Sequence, residues 1–305
     1  MSLSSVRGTR AALALTAAAV LALAGCTTDA EEPEASGERG QEASLDADEE
    51  IVALVPAEVR DRGVLVIGTD PPYAPNQFTD ERGEIVGFDI DVMTATAQLM
   101  GLRAEFRASD FEEIIPAVED GSLDTGASSF TVNDERLRTV DFVTYFEAGI
   151  QWASAAGTDV DPDDACGLSV AVKRATVSDL EDVPARSAAC TDAGRPAIAT
   201  VRFDSQDEAT RAAALGRVDA ISADSPVSAY AVRQSMGKMQ LVGDVVDAAP
   251  YGWPVRKGSE LAVALQSAAD RLIETGDLEK LARNWGVENG LIDSAELREG
   301  RGTDG

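Results

Sequence analysis

The strongest constraint on this chain is that it repeats its own plan. Asp110-Phe111-Glu112-Glu113 opens a helical stretch that Gly121 closes, and Ser205-Gln206-Asp207-Glu208 opens another that Gly216 closes. Each begins with Asp or Ser at the N-cap position and carries Glu three residues later, the capping-box arrangement. Each ends on a glycine suited to a left-handed C-terminal cap. The neighbouring segments also match: Gly121 to Ser129 parallels Gly216 to Asp224, and upstream Gly63 to Asp70 parallels Gly167 to Arg174. These segments read as short apolar strands ending in polar residues. Apolar strands alternating with helices predict mainly parallel α/β sheets. A chain that does this twice is expected to form two α/β lobes of similar plan, and 305 residues suffice for both.

Open α/β sheets bind ligands beyond the carboxyl ends of their strands. The strand ends just named therefore supply the candidate site: Asp70, Ser128 to Thr131, Lys173 to Thr176, and Asp224. The segment Tyr145 to Ala156 leaves the first lobe, and Val245 to Val255, with Pro250 and Pro254, returns to it. Two hinge crossings make the first lobe discontinuous. The expected organisation is residues 51–154 with 250–292 as lobe 1, 155–249 as lobe 2, and 293–305 as a polar tail that frays. Trp152 and Trp253 lie on the crossings and are expected to pack at the hinge or cleft rim, and Trp285 in a core. Asp89 and Asp91 fall near the first turn of a helix over Ile90 to Met100, where negative charge suits the helix dipole.

Composition excludes several functions. Acidic residues outnumber basic ones 54 to 26, for a net charge of −28, and histidine is absent. Nucleic-acid binding needs a basic patch, and adsorption to anionic lipid needs a polybasic segment; neither is present. Without histidine there is no Ser-His-Asp or Cys-His machinery and no imidazole zinc site. No metal or other cofactor is expected.

Residues 1–25 read as a signal peptide. Arg7 and Arg10 precede an apolar run from Ala11 to Ala24, which is too short to span a bilayer. The run closes on Leu23-Ala24-Gly25-Cys26, which resembles the lipobox of bacterial lipoproteins. That resemblance implies cleavage before Cys26 and lipidation of its thiol, and two or more acyl chains give stable anchoring. Residues 26–50 are acidic and poor in large apolar side chains, and are read as a disordered tether. Cys166 and Cys190 remain as an even pair outside the cytoplasm, where disulfides persist. They have no C-x-x-C spacing that would point to redox or metal work.

Four motifs in order resemble the bacterial extracellular solute-binding proteins of family 3. They are Thr69-Asp70-Pro71-Pro72-Tyr73-Ala74-Pro75, Gly87-Phe88-Asp89-Ile90-Asp91, the run from Ser128-Ser129-Phe130-Thr131 through Glu135-Arg136 to Val140-Asp141-Phe142, and Gly216-Arg217-Val218-Asp219-Ala220 with Asp224. The resemblance runs from about residue 60 to 290, nearly all of the expected folded part. The resemblance implies a two-lobed type II periplasmic-binding-protein fold that closes on a polar amino acid and delivers it to an ABC transporter permease. It implies a monomer on the outer face of the cell membrane, held there by its lipid anchor alone. One departure is Ala175, where the family usually has glycine.

By the resemblance, Arg136 holds the ligand α-carboxylate, a task that a guanidinium fork suits. Thr131 and Thr176 add hydroxyls and N–H groups to the same carboxylate. Asp224 takes the α-ammonium, with the Ser129 carbonyl. Tyr73 and Phe111 flank the ligand side chain, and Asp70 contacts it, favouring a cationic or amide-bearing amino acid. Each has a plainer competitor. Arg136 could pair with Asp134 or Glu135 at the surface, Asp224 could cap the helix that begins near Pro226, Phe111 could pack in a core, and Asp70 could form a turn before Pro71. Lys173, if it points inward, would tolerate an acidic ligand. Two rival functions remain: a sensing lipoprotein of the same fold, and an enzyme resembling cyclohexadienyl dehydratase, for which no cleft acid beyond the amino-acid set is apparent.

Overall fold

The computed structural model describes residues 45–300. The signal peptide, Cys26, most of the tether and residues 301–305 lie outside the described residues. In chain order the helices are α1 (Glu49–Leu54), α2 (Ala57–Arg62), α3 (Phe88–Leu99), α4 (Phe111–Asp120), α5 (Val183–Asp192), α6 (Gln206–Ala214), α7 (Ser225–Gln234), α8 (Leu261–Glu274) and α9 (Asp277–Trp285). The strands are β1 (Val64–Thr69), β2 (Phe78–Thr79), β3 (Ile85–Val86), β4 (Arg103–Ala108), β5 (Thr125–Gly126), β6 (Val140–Ala155), β7 (Ser169–Lys173), β8 (Ala199–Phe203), β9 (Ala220–Asp224), β10 (Met239–Arg256) and β11 (Leu297–Arg298).

Two α/β layers form around separate cores. In the first, β4-β1-β5 is a parallel sheet. Leu65 and Ile67 of β1 face Phe88, Val92 and Met93 of α3 and Leu265 of α8, while Val66 faces Ile114 and Val118 of α4. In the second, β8-β7-β9 is parallel. Val170 and Val172 of β7 point to one side with Val183 and Ile198, while Ala171 points to the other with Ala209 and Ala213 of α6. That alternation is the period-two signature of a strand covered on both faces.

The crossings are two long strands. β6 and β10 pair antiparallel along most of their 16 and 18 residues, and β6 also pairs antiparallel with β9, so the second sheet is mixed rather than wholly parallel. Their ladder shifts register between Val242 and Val246 and again before Ala249. Gly149 faces this irregular stretch, and a Cβ there would lie 2.5 Å from the Val246 carbonyl oxygen. Only glycine lets the two crossings approach so closely.

Several local expectations are refined. Asp110 and Ser205 occupy N-cap positions, but neither side chain makes a cap hydrogen bond. Instead the Phe111 N–H is taken by Asp70. Order begins before residue 51: Leu45 packs on the first core, its N–H donates to Gln98, and Asp48 caps α1. Order also extends past residue 293, because β11 pairs with β6 and Gly300 donates to Asp141. In both places a few apolar or capping side chains outweigh a polar neighbourhood. Trp152 and Trp253 are buried in the two cores rather than at the cleft rim. Trp285 packs partly buried against the first core, its indole N–H donating to Asp91 at 2.7 Å. Cys166 and Cys190 form a disulfide with Cα atoms 5.5 Å apart, tying the start of β7 to α5.

Candidate functional site

The carboxyl ends of β1, β5, β7 and β9 face one narrow cleft between the two layers. Its walls include Tyr73, Phe111, Ser129, Thr131, Arg136, Thr176 and Asp224, seven of the eight residues singled out from sequence. The eighth, Asp70, reaches the cleft through an ion pair with the lining residue Lys173. Gln77 and Ser128 line it as well.

Arg136 sits half-buried in a short helical turn after β5. Its side chain does not turn back to Asp134 or Glu135. One guanidinium nitrogen donates to the Thr131 carbonyl at 2.7 Å, and the other to the Ala175 carbonyl of the opposite lobe at 3.3 Å. The guanidinium lies 5.2 Å from the Phe111 ring centre and 5.6 Å from that of Phe130, and those two rings stack at 4.6 Å. Phe111 therefore supports Arg136 and packs on Phe130 in one arrangement. Burial lowers the Arg136 pKa, while the nearby charge of Asp224 works to raise it.

Asp224 ends β9 and stands at the N-cap of α7, yet its side chain makes no cap bond. It accepts from the Tyr251 hydroxyl at 2.5 Å and bonds the Tyr73 hydroxyl. Tyr73 is 3% exposed and packs on Ala223 and Val227 of the second lobe, so it spans the cleft rather than lying flat along one wall. Burial raises the Asp224 pKa, opposed by those hydroxyls and by Arg136.

Asp70 and Lys173 meet across the cleft at 2.6 Å, and the ammonium also donates to the Asp204 carbonyl at 2.8 Å. Lys173 thus points inward, with 4% of its side chain exposed. Burial raises the Asp70 pKa against the lowering effect of Lys173. The Asp70 N–H donates to Ser128 at 3.1 Å, and Gln77 donates to the same hydroxyl at 2.9 Å. Sequence reasoning named Ser128 among the strand ends but missed Gln77, whose only signal was its place shortly after the Pro-rich turn.

Thr176 lines the cleft, but its hydroxyl donates to the Lys173 carbonyl at 2.8 Å and so shapes its own turn. The preceding Ala175 takes φ +62°, the left-handed backbone that glycine would adopt without strain. Its N–H donates to Asp179 at 3.1 Å, which holds that conformation. Thr131 pairs with Tyr251 through an isolated bridge. Ser129 is also left-handed, at φ +54°. Among the described residues no cluster could hold a metal ion, and no helix is long and apolar enough to cross a membrane.

The cleft therefore juxtaposes a fixed guanidinium, a buried carboxylate on the opposite lobe, and a charged pair that bridges the lobes. Comparison with known proteins agrees with that chemistry. Residues 65–288 match the family described as bacterial extracellular solute-binding proteins, family 3. The arginine-binding protein ArgT of Corynebacterium glutamicum is 42% identical over 279 residues, covering 91% of each chain. An ancestral arginine-binding protein, solved with arginine bound, superposes with a TM-score of 0.67 at 34% identity, covering 73% of this chain and 98% of that one. The same description with glutamine bound gives 0.67 at 34% identity, covering 74% and 99%.

Proposed function

The chain belongs to the bacterial extracellular solute-binding proteins of family 3, and on that premise we propose that it captures one polar amino acid between its lobes for delivery to an ABC transporter permease. The observation that carries this reading is that Arg136 and Asp224 line the same cleft from opposite lobes. A zwitterion offers a carboxylate to the first and an ammonium to the second, so only closure completes both sets of bonds. Ligand then shifts the population toward the closed form by its differential affinity. Thr131 and Thr176 support the carboxylate end, and the Ser129 carbonyl supports the ammonium. Thr176 contributes through its backbone rather than its engaged hydroxyl. Phe111 holds the guanidinium in place, and Tyr73 fixes Asp224.

The Asp70–Lys173 pair reads the ligand side chain. A carboxamide can donate to Asp70 and accept from Lys173. A guanidinium can replace Lys173 at Asp70. A second carboxylate gains Lys173 but faces Asp70. The pair therefore favours an amide or cationic side chain over an acidic one. Upstream, Cys26 with its lipobox is assigned as the lipid attachment site that anchors the protein outside the cell. The role is that of a binding protein rather than an enzyme, as for the named relatives.

Calorimetry on Arg136→Ala tests the reading: loss of amino-acid binding is expected with the thermal unfolding profile unchanged, and wild-type affinity would overturn it. A thermal-shift screen of the twenty amino acids with ornithine tests the ligand class. Stabilisation grows as the logarithm of ligand concentration over Kd, so arginine, lysine, histidine or glutamine should raise Tm more than glutamate does. A preference for glutamate would overturn the role given to Asp70.

A further inference from the structure

We propose that Asp89 is a positioning residue of the cleft, holding Ser129 in the backbone conformation that presents its carbonyl to the ligand ammonium. The proposal deepens the binding function above and rests on it. Asp89 lies in the first turn of α3 and is fully buried. One carboxylate oxygen accepts both the Ser129 N–H at 2.6 Å and the Ser129 hydroxyl at 2.9 Å. The other accepts the Tyr145 hydroxyl at 2.6 Å. Asn76 donates to the Ser129 hydroxyl at 2.8 Å, and its carbonyl takes the Asp89 N–H at 2.9 Å.

Ser129 has φ +54°. Such a backbone costs energy for any residue with a Cβ and persists only where the surroundings over-determine it. Here the determinants converge on one carboxylate. A charge placed out of water is costly unless donors surround it. A residue that only stitched α3 to the core would have no need to commit one oxygen to two bonds with a single lining residue. Tyr145, stacked on Trp253 at 4.7 Å, fixes the carboxylate from behind. The geometry therefore runs from a rigid core pair through Asp89 to a strained cleft residue.

The test measures, in the full chain, the affinity for L-arginine and L-glutamine and for the same molecules without the α-ammonium, 5-guanidinopentanoate and glutaramate. Asp89→Ala is expected to weaken the amino acids by about tenfold while changing the ammonium-free analogues by no more than about twofold. Asp89→Asn should recover most of the loss, because its amide oxygen can accept both Ser129 bonds while its nitrogen donates to Tyr145. Ser129→Ala, which keeps the strained backbone but removes the hydroxyl bond to Asp89, should show the same selective loss in smaller measure and decides the matter if Asp89→Ala does not fold. Equal losses on amino acids and analogues, or no loss, would overturn the proposal. A wild-type chain that binds none of the twenty amino acids would overturn the binding function itself, whereas intact wild-type binding that Arg136→Ala abolishes leaves only the role of Asp89 in question.

Discussion

At the scale of single residues, the buried acids set a pH dependence whose sign can be worked out. Burial lifts the Asp89 pKa from 3.8 to about 6, against the three hydrogen bonds that favour its charged form. An acid that holds its proton more tightly when folded stabilises the fold most below its unfolded pKa. That contribution is lost as pH rises through the folded value. A shift of roughly two units corresponds to about 3 kcal/mol. Asp70 and Asp224 shift in the same direction. Denaturant curves for wild type and Asp89→Asn should therefore converge or cross as pH rises from about 4 to 6.5, with the wild type losing more. Parallel pH profiles would contradict the buried charge. From sequence, Asp89 reads as a first-turn acid serving the helix dipole, because its partner Ser129 lies forty residues away. Arg136 and Asp224 were more legible, since each sits at or just past a strand end that the repeat makes visible. The inward turn of Lys173 was not legible, because it depends on Asp70 across a cleft that only the folded chain creates.

At the scale of elements, α4, α6 and the strands beside them followed from caps, glycines and apolar runs, while the bonds that close them did not. Asp110 and Ser205 mark helix starts correctly as positions, yet α4 receives its first acceptor from Asp70. A short polar side chain at an N-cap is one acceptor among those that tertiary contact supplies, and sequence spacing does not rank them. The cysteine count foresaw the link between β7 and α5, and the structure closes it. The bridge encloses a sequence separation of 24 residues, for which loop-closure entropy gives about 3 kcal/mol. Paired Cys166→Ser and Cys190→Ser substitutions should lower unfolding free energy in urea by about that amount. A change within experimental scatter would show that the second lobe does not depend on the link.

At the scale of the whole molecule, the contacts that join the lobes include, besides those at Tyr73 and Asp224, Asp70 with Lys173, Arg136 with the Ala175 carbonyl, Arg233 with the Trp285 carbonyl at 3.3 Å, and Asn133 with Glu181 at 2.8 Å. The last lies at the exposed rim, and the same Asn133 side chain also accepts the Arg136 N–H at 3.0 Å. Glu181→Ala, which leaves the Asn133–Arg136 bond in place, should raise the ligand dissociation rate by about two- to fivefold and leave the association rate nearly unchanged, as loss of one modest hydrogen bond from the closed form requires. Stopped-flow fluorescence from the native tryptophans would measure both, and an effect on association alone would contradict this role. The connectivity has a mechanical corollary. The described chain starts against α8, where Asp48 pairs with Arg271, and ends where β11 joins the lobe 1 end of β6. Both ends thus emerge from one lobe, and the other hangs from the β6–β10 ribbon with no free end of its own. A pull on the two ends would load the first lobe in shear and leave the ribbon slack, so a molecule held under tension could still open and shut.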